Sequence, residues 1–161
     1  MRLQPFRAVR CSLVLASFAL SAWSTSALAQ PHAVRHGDFA MHSSVVNSQS
    51  ISAEAAREHG IAPAENVGVL NVVVLRDIDG VQWPIRAAVS ATRTTLSGVQ
   101  RDIELRPVEA EGRVSYAGSF EFVPREVLDF KVTARINPAS PLLQLSYRER
   151  MSPTQLPSPT R

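Results

Sequence analysis

Leu128-Asp129-Phe130-Lys131-Val132-Thr133-Ala134-Arg135-Ile136 decides the fold. Apolar residues stand at every second position, and polar or charged residues fill the gaps. A chain whose side chains alternate between two faces is a strand with one face buried. The same period two recurs upstream and downstream. Trp83, Ile85, Ala87, Val89 and Ala91 alternate with Arg86, Ser90 and Thr92, and Leu143, Leu145 and Tyr147 alternate with Gln144, Ser146 and Arg148. Val114, Tyr116, Phe120 and Phe122 share one face around Gly118. Val69 to Leu75 is apolar on both faces except at Asn71, the pattern of a central strand covered on both sides.

Turn residues separate these runs. Asp77-Ile78-Asp79-Gly80 predicts a hairpin, and Ser97-Gly98 and Glu111-Gly112 predict two further turns. Asn137-Pro138 and Ser140-Pro141 divide the last two strands, because proline cannot donate to a central ladder. With Asp38 to Val46 as the first strand, about seven strands are expected. The class is all-β, an immunoglobulin-like antiparallel β-sandwich. One stretch departs from period two. Ser52-Ala53-Glu54-Ala55-Ala56-Arg57-Glu58-His59-Gly60 predicts a short helix between the first two strands, capped by Ser52 and stopped at Gly60.

The ends carry other information. Arg2, Arg7 and Arg10, the apolar run Leu13 to Leu20, and Ala27-Leu28-Ala29 make up a secretory signal over 1–29, with cleavage expected between Ala29 and Gln30. The apolar run is too short to span a bilayer, so no membrane span is expected after its removal. Residues 30–35 are expected as a polar leader, 36–151 as the domain, and 152–161 as a disordered Pro-rich tail. The expected location is the periplasm.

Composition then excludes several classes. The chain has 17 basic and 14 acidic residues. Setting aside the three arginines of the signal leaves the remainder balanced, with no block of one sign, so no nucleic-acid partner is expected. Cys11, the single cysteine, lies in the signal. The domain therefore has no disulfide, no thiolate nucleophile and no cysteine-based zinc site. His36 and His42 are expected on one strand, facing the same way about 20 Å apart, too far for one metal. Asp77-x-Asp79-Gly80 lacks the later ligands of a calcium loop. No G-x-S-x-G elbow surrounds any serine. Neither metal nor cofactor is expected, and no catalytic residue.

His36-Gly37-Asp38-Phe39-Ala40-Met41-His42, then Asn47-Ser48, then Ala53-Glu54-Ala55-Ala56 to His59-Gly60-Ile61, then Val69-Leu70-Asn71-Val72-Val73-Val74, resembles the DUF4426 family. Its members are small exported proteobacterial proteins. The resemblance implies export and a shared fold, and it imports no activity.

The polar members of that motif are the binding candidates: His42, Asn47, Ser48 and Asn71. A polar side chain in an apolar strand must find a partner, since leaving it unsatisfied costs about 1–3 kcal/mol. In one reading His42 and Asn71 meet the loop at Asn47-Ser48 in a small polar pocket. In the other, Asn47 and Ser48 build a side-chain-to-backbone turn and the group is structural. The expected function is a non-catalytic binding or assembly module of the cell envelope with a protein partner. The alternative is a small-ligand carrier or enzyme using the pocket around His42 and Asn71.

Overall fold

The computed structural model describes residues 32–58 and 60–152. The signal segment, the Ala29–Gln30 junction, His59 and the tail from residue 153 onward lie outside the described residues.

Two antiparallel sheets carry the fold. The larger runs β1 (His32–His36), β2 (Phe39–Asn47), β3 (Val67–Ile78), β8 (Arg113–Glu121), β7 (Arg106–Ala110), with β4 (Val81–Pro84) pairing β3 beyond the end of β8. The smaller runs β10 (Leu143–Arg150), β9 (Val127–Arg135), β5 (Ala88–Thr95), β6 (Gln100–Ile103). The all-β, antiparallel expectation holds. Among the described residues the count is ten strands rather than about seven, and an immunoglobulin-like arrangement is not confirmed.

The core lies between the sheets and follows the alternation. Met41, Leu70, Val72 and Val74 from one side meet Leu128, Phe130, Val132 and Ala134 from the other. Phe120 sets its edge against Phe130, with ring centroids 5.3 Å apart. Strand β3 is central, as its apolar run predicts, with β2 on one side and β8 and β4 on the other.

Three departures have physical causes. Residues 32–35, expected as a leader, belong to β1, because Gly37 (φ 58) turns the chain back and pairs His36 with Phe39. His36 and His42 thus lie on different strands. His36 shares the inner face with Phe39, and His42 points outward. The helix α1 (Ala53–Glu58) consequently follows the second strand rather than the first. Its predicted cap holds: Ser52 Oγ accepts from Ala55 N–H at 3.2 Å.

The run from Trp83 to Ala91 is two strands in two sheets. The chain crosses at Ile85–Ala87, where the Tyr116 hydroxyl accepts from the Ala87 N–H (2.7 Å) and donates to the Ala87 carbonyl (2.8 Å). A second crossing, β6 to β7, passes over Gly118. A Cβ there would lie 2.4 Å from the Glu104 carbonyl oxygen. Glycine is therefore required at this point for close backbone approach.

Candidate functional site

The sequence-selected polar residues separate into two groups. Asn47 ends β2, where its Oδ1 accepts from Gln49 N–H (2.9 Å) and its Nδ2 donates to the Glu65 carbonyl (3.0 Å). Ser48 is fully buried; its Oγ accepts from Ala64 N–H and donates to the Ala64 carbonyl, both at 3.0 Å. Together they clip the loop after α1 onto the end of β2. Both side chains are spent on backbone groups.

His42 and Asn71 lie elsewhere, on the outer face of the larger sheet. The inner face of β2 is set by Met41 and Ser43, and that of β3 by Leu70 and Val72. His42 stands opposite Val73, and Asn71 opposite Ser44, so His42 and Asn71 are diagonal neighbours on one face. The structure therefore brings this pair together but does not bring it to Asn47 and Ser48, which lie at the far end of β2. The row of Asn71 continues through Ala117 to Arg106. These last two residues line a cleft of about 530 Å³ under α1, together with Arg57, Ile61, Glu104 and Ser119.

A third group closes one side of the molecule, where β1 and β10 end the two sheets. The Tyr147 hydroxyl is 2.8 Å from Ser43 Oγ. His32 stacks on the Tyr147 ring at 3.9 Å between centroids, and its Nε2 lies 3.6 Å from Glu149 Oε2. Burial pushes the Tyr147 phenol up to about 12; the Ser43 hydrogen bond opposes this shift and the nearby Glu149 charge adds to it. This phenol stays protonated near neutral pH and acts as a strut. On the outer face of β9 and β10, Arg148 grips Asp129 through two bonds of 2.7 and 2.8 Å. The Arg148 hydrogen bonds hold the Asp129 carboxyl below its usual value.

The fourth group is an arm. Strands β3 and β4 run on past β8 as a hairpin, turned by Asp79 (φ 55) and Gly80 (φ 82). A row crosses four strands here: His36, Phe39, Arg76, Trp83. The Arg76 guanidinium lies 5.8 Å from the Phe39 ring centroid. Ile78 and Val81 pair at the tip. Trp83 is 56% exposed, Val81 53% and Ile78 47%.

The family model for the domain of unknown function DUF4426 matches residues 33–151. The chain belongs to the DUF4426 family. A DUF4426 protein of Pseudomonas aeruginosa PAO1 is similar in structure, with a TM-score of 0.66 and 26% identity, over 78% of this chain and 97% of that one. FetP of uropathogenic Escherichia coli strain F11, produced in the E. coli periplasm, shares the fold at a TM-score of 0.59 and 11% identity, over 81% of this chain and 100% of that one. A copper-bound variant of FetP matches at 0.57 and 11%, over 83% and 96%. No curated protein matches the chain.

Within this DUF4426 domain, the family-motif residues Asn47 and Ser48 do loop anchoring. The Tyr147–Ser43 contact escaped the sequence because 104 positions separate the partners. Parity on β2 does place Ser43 inward with Met41. Among the described residues, no group of three or more His, Cys, Asp or Glu side chains is placed to hold a metal ion. No described helix is long and apolar enough to cross a membrane.

Proposed function

We propose that this DUF4426 protein is a non-catalytic binding or assembly module of the cell envelope, working in the periplasm through a protein partner. The exposed arm carries this reading. Trp83, Val81 and Ile78 stand on adjoining rows of one hairpin, open to solvent, beside the half-buried Phe39 and the Arg76 cation. Grouped exposed apolar side chains rimmed by charge are characteristic of interaction sites, and Trp and Arg are enriched among residues that dominate binding energy. The export signal supports a periplasmic location, as does the fold shared with FetP, which was produced in the periplasm. The copper of the FetP variant is not carried over, since the likeness extends to the fold alone.

The test is chemical cross-linking of the tagged mature protein in the periplasm of its host, beside the double variant Ile78→Ser/Trp83→Ser. A polypeptide adduct formed by the wild type and lost in the variant is the expected result. Capture of the protein alone, or an adduct indifferent to the variant, would overturn the arm as the binding face.

One observation favours a second reading, a small-ligand carrier. His42 and Asn71 share one face, and the row of Asn71 leads into the cleft under α1. That reading requires a small molecule that raises the melting temperature through preferential binding to the folded state, with the rise lost in Asn71→Ala.

A further inference from the structure

Strand β8 pairs with β3 from Tyr116 to Glu121, but with β7 only from Arg113 to Ala117. Phe122 N–H donates to the Asn66 carbonyl on the β3 side at 2.9 Å. Main-chain groups in an antiparallel ladder point alternately to either side, so those of Ser119 and Glu121 face away from β3. On that side the neighbour is β7, which starts at Arg106, opposite Ala117. Among the described residues, Ser119 and Glu121 have no main-chain partner there. The chain enters β7 from the other sheet, passing close over Gly118 at Glu104. This leaves a short open length of sheet edge in line with β7.

Clefts flank this open length. Ser119 lines the cleft of about 530 Å³ under α1, and Glu121 lines a second of about 370 Å³ with Arg93, Val99 and Arg101. The first cleft is bounded by two exposed guanidinium groups. Arg57 is steadied by its Nε, which donates to the Ala53 carbonyl at 3.1 Å, leaving its terminal amino groups for a ligand. Arg106 donates to Glu104 Oε1 at 3.0 and 3.2 Å. Two cations against one carboxylate leave the cleft with an excess of positive charge.

We infer that this edge binds the C-terminal end of another polypeptide, added as a short strand beside Ser119 and Glu121 with its terminal carboxylate between Arg57 and Arg106. Main-chain hydrogen bonds supply the pairing, and the guanidinium groups supply charge-assisted bonds to the carboxylate. The direction follows from the sheet. A strand that continues the line of β7, antiparallel to β8, has its C-terminal end next to Arg106. Beyond that point β7 already occupies the edge, so the added chain stops there. A terminal carboxylate fits this stop better than the middle of a chain, which would have to turn out of the sheet.

This site deepens the reading of a protein-binding module and stands on a different surface from the arm. Its test reads Ser119, Glu121 and the two arginines, so either proposal can fail alone. The mature protein is panned against random heptapeptides displayed with free C-terminal carboxylates, and selected peptides are remade as C-terminal amides and with N-methylated backbones. The expected result is binding of the free acids, with main-chain amide shifts in NMR spectra centred on Ser119 and Glu121. Amidation or N-methylation weakens binding at least tenfold, and Arg57→Ala and Arg106→Ala each weaken it at least fivefold with an unchanged melting temperature. Trp83→Ser leaves binding as in the wild type. The inference is overturned by selection of no peptide, by equal affinity for the amides, or by shifts centred on Trp83 or His42.

Discussion

The hydroxyl of Tyr147 on β10 lies 2.8 Å from the Oγ of Ser43 on β2, so one hydrogen bond ties the edge of the smaller sheet to the larger. Ser43 is 1% exposed, and His32 stacks on the Tyr147 ring. The burial of this phenol makes stability depend on alkaline pH. The phenol titrates near 10.0 when unfolded and is pushed up to about 12 in the fold, chiefly by burial. A raised acid pKa means the folded state holds the proton more tightly. The contribution is complete below pH 10 and is lost as pH rises from 10 toward 12. Its size is about 2–3 kcal/mol from the shift. Urea unfolding of the wild type and Tyr147→Phe at pH 8 and pH 11.5 measures it. The wild type should lose more stability over this interval than the variant, by about 2 kcal/mol; parallel losses would refute it.

Tyr116→Phe should cost about 1–3 kcal/mol, because it leaves the N–H and carbonyl of Ala87 without the hydroxyl that serves both. The urea midpoint should fall with an unchanged denaturant slope, the mark of altered stability without altered compactness. A midpoint equal to that of the wild type would show that the crossing between sheets does not depend on this hydroxyl.

This crossing also marks a limit of what the sequence reveals. Period two exposed β8, β9 and β10, and the Asp79-Gly80 and Glu111-Gly112 turns both carry the positive φ that their residues suggest. The alternation runs unbroken from Trp83 to Ala91, however, because a corner between sheets can preserve which side chains face inward. Only Tyr116, distant in sequence, reveals the break. Strands β6 and β7 were hidden for another reason. They are edge strands, where Arg101, Asp102, Arg106 and Glu109 face solvent and leave little apolar period. Strand β1 carries His32, Arg35 and His36 among its five residues, which leaves little apolar period. In the polar motif, residue types were visible but not faces, so four candidates read as one group prove to be two.

Ser48→Ala and His42→Ala separate those groups. Ser48 is buried and holds both backbone groups of Ala64, so its loss should cost about 1–3 kcal/mol. His42 stands half-buried on the outer face, and its replacement should change stability by no more than about 0.5 kcal/mol. Thermal unfolding of the two variants checks both values, and a His42→Ala loss as large as that of Ser48→Ala would make His42 a structural residue.

Gly118→Ala should destabilise by about 1–3 kcal/mol or prevent folding, since the new methyl group would meet the Glu104 carbonyl oxygen and the Ile103 side chain. Gly80→Ala meets no such neighbour and is strained only through its φ of 82. Comparing their urea midpoints tests whether close approach at Gly118 fixes the β6–β7 crossing. A harmless Gly118→Ala would contradict it.

The central claim is that the arm is a protein-binding face, and a photo-activatable side chain at position 83 tests it most directly. The same group at position 144, on the outer face of β10, serves as control. After irradiation of cells of the host, the account predicts a discrete polypeptide adduct from position 83 and none from position 144. It also predicts that the adduct weakens when Ile78 and Val81 are changed to Ser, with a melting temperature close to that of the parent, because both side chains are about half exposed. No adduct at position 83, in a protein that is folded and exported, would contradict the account.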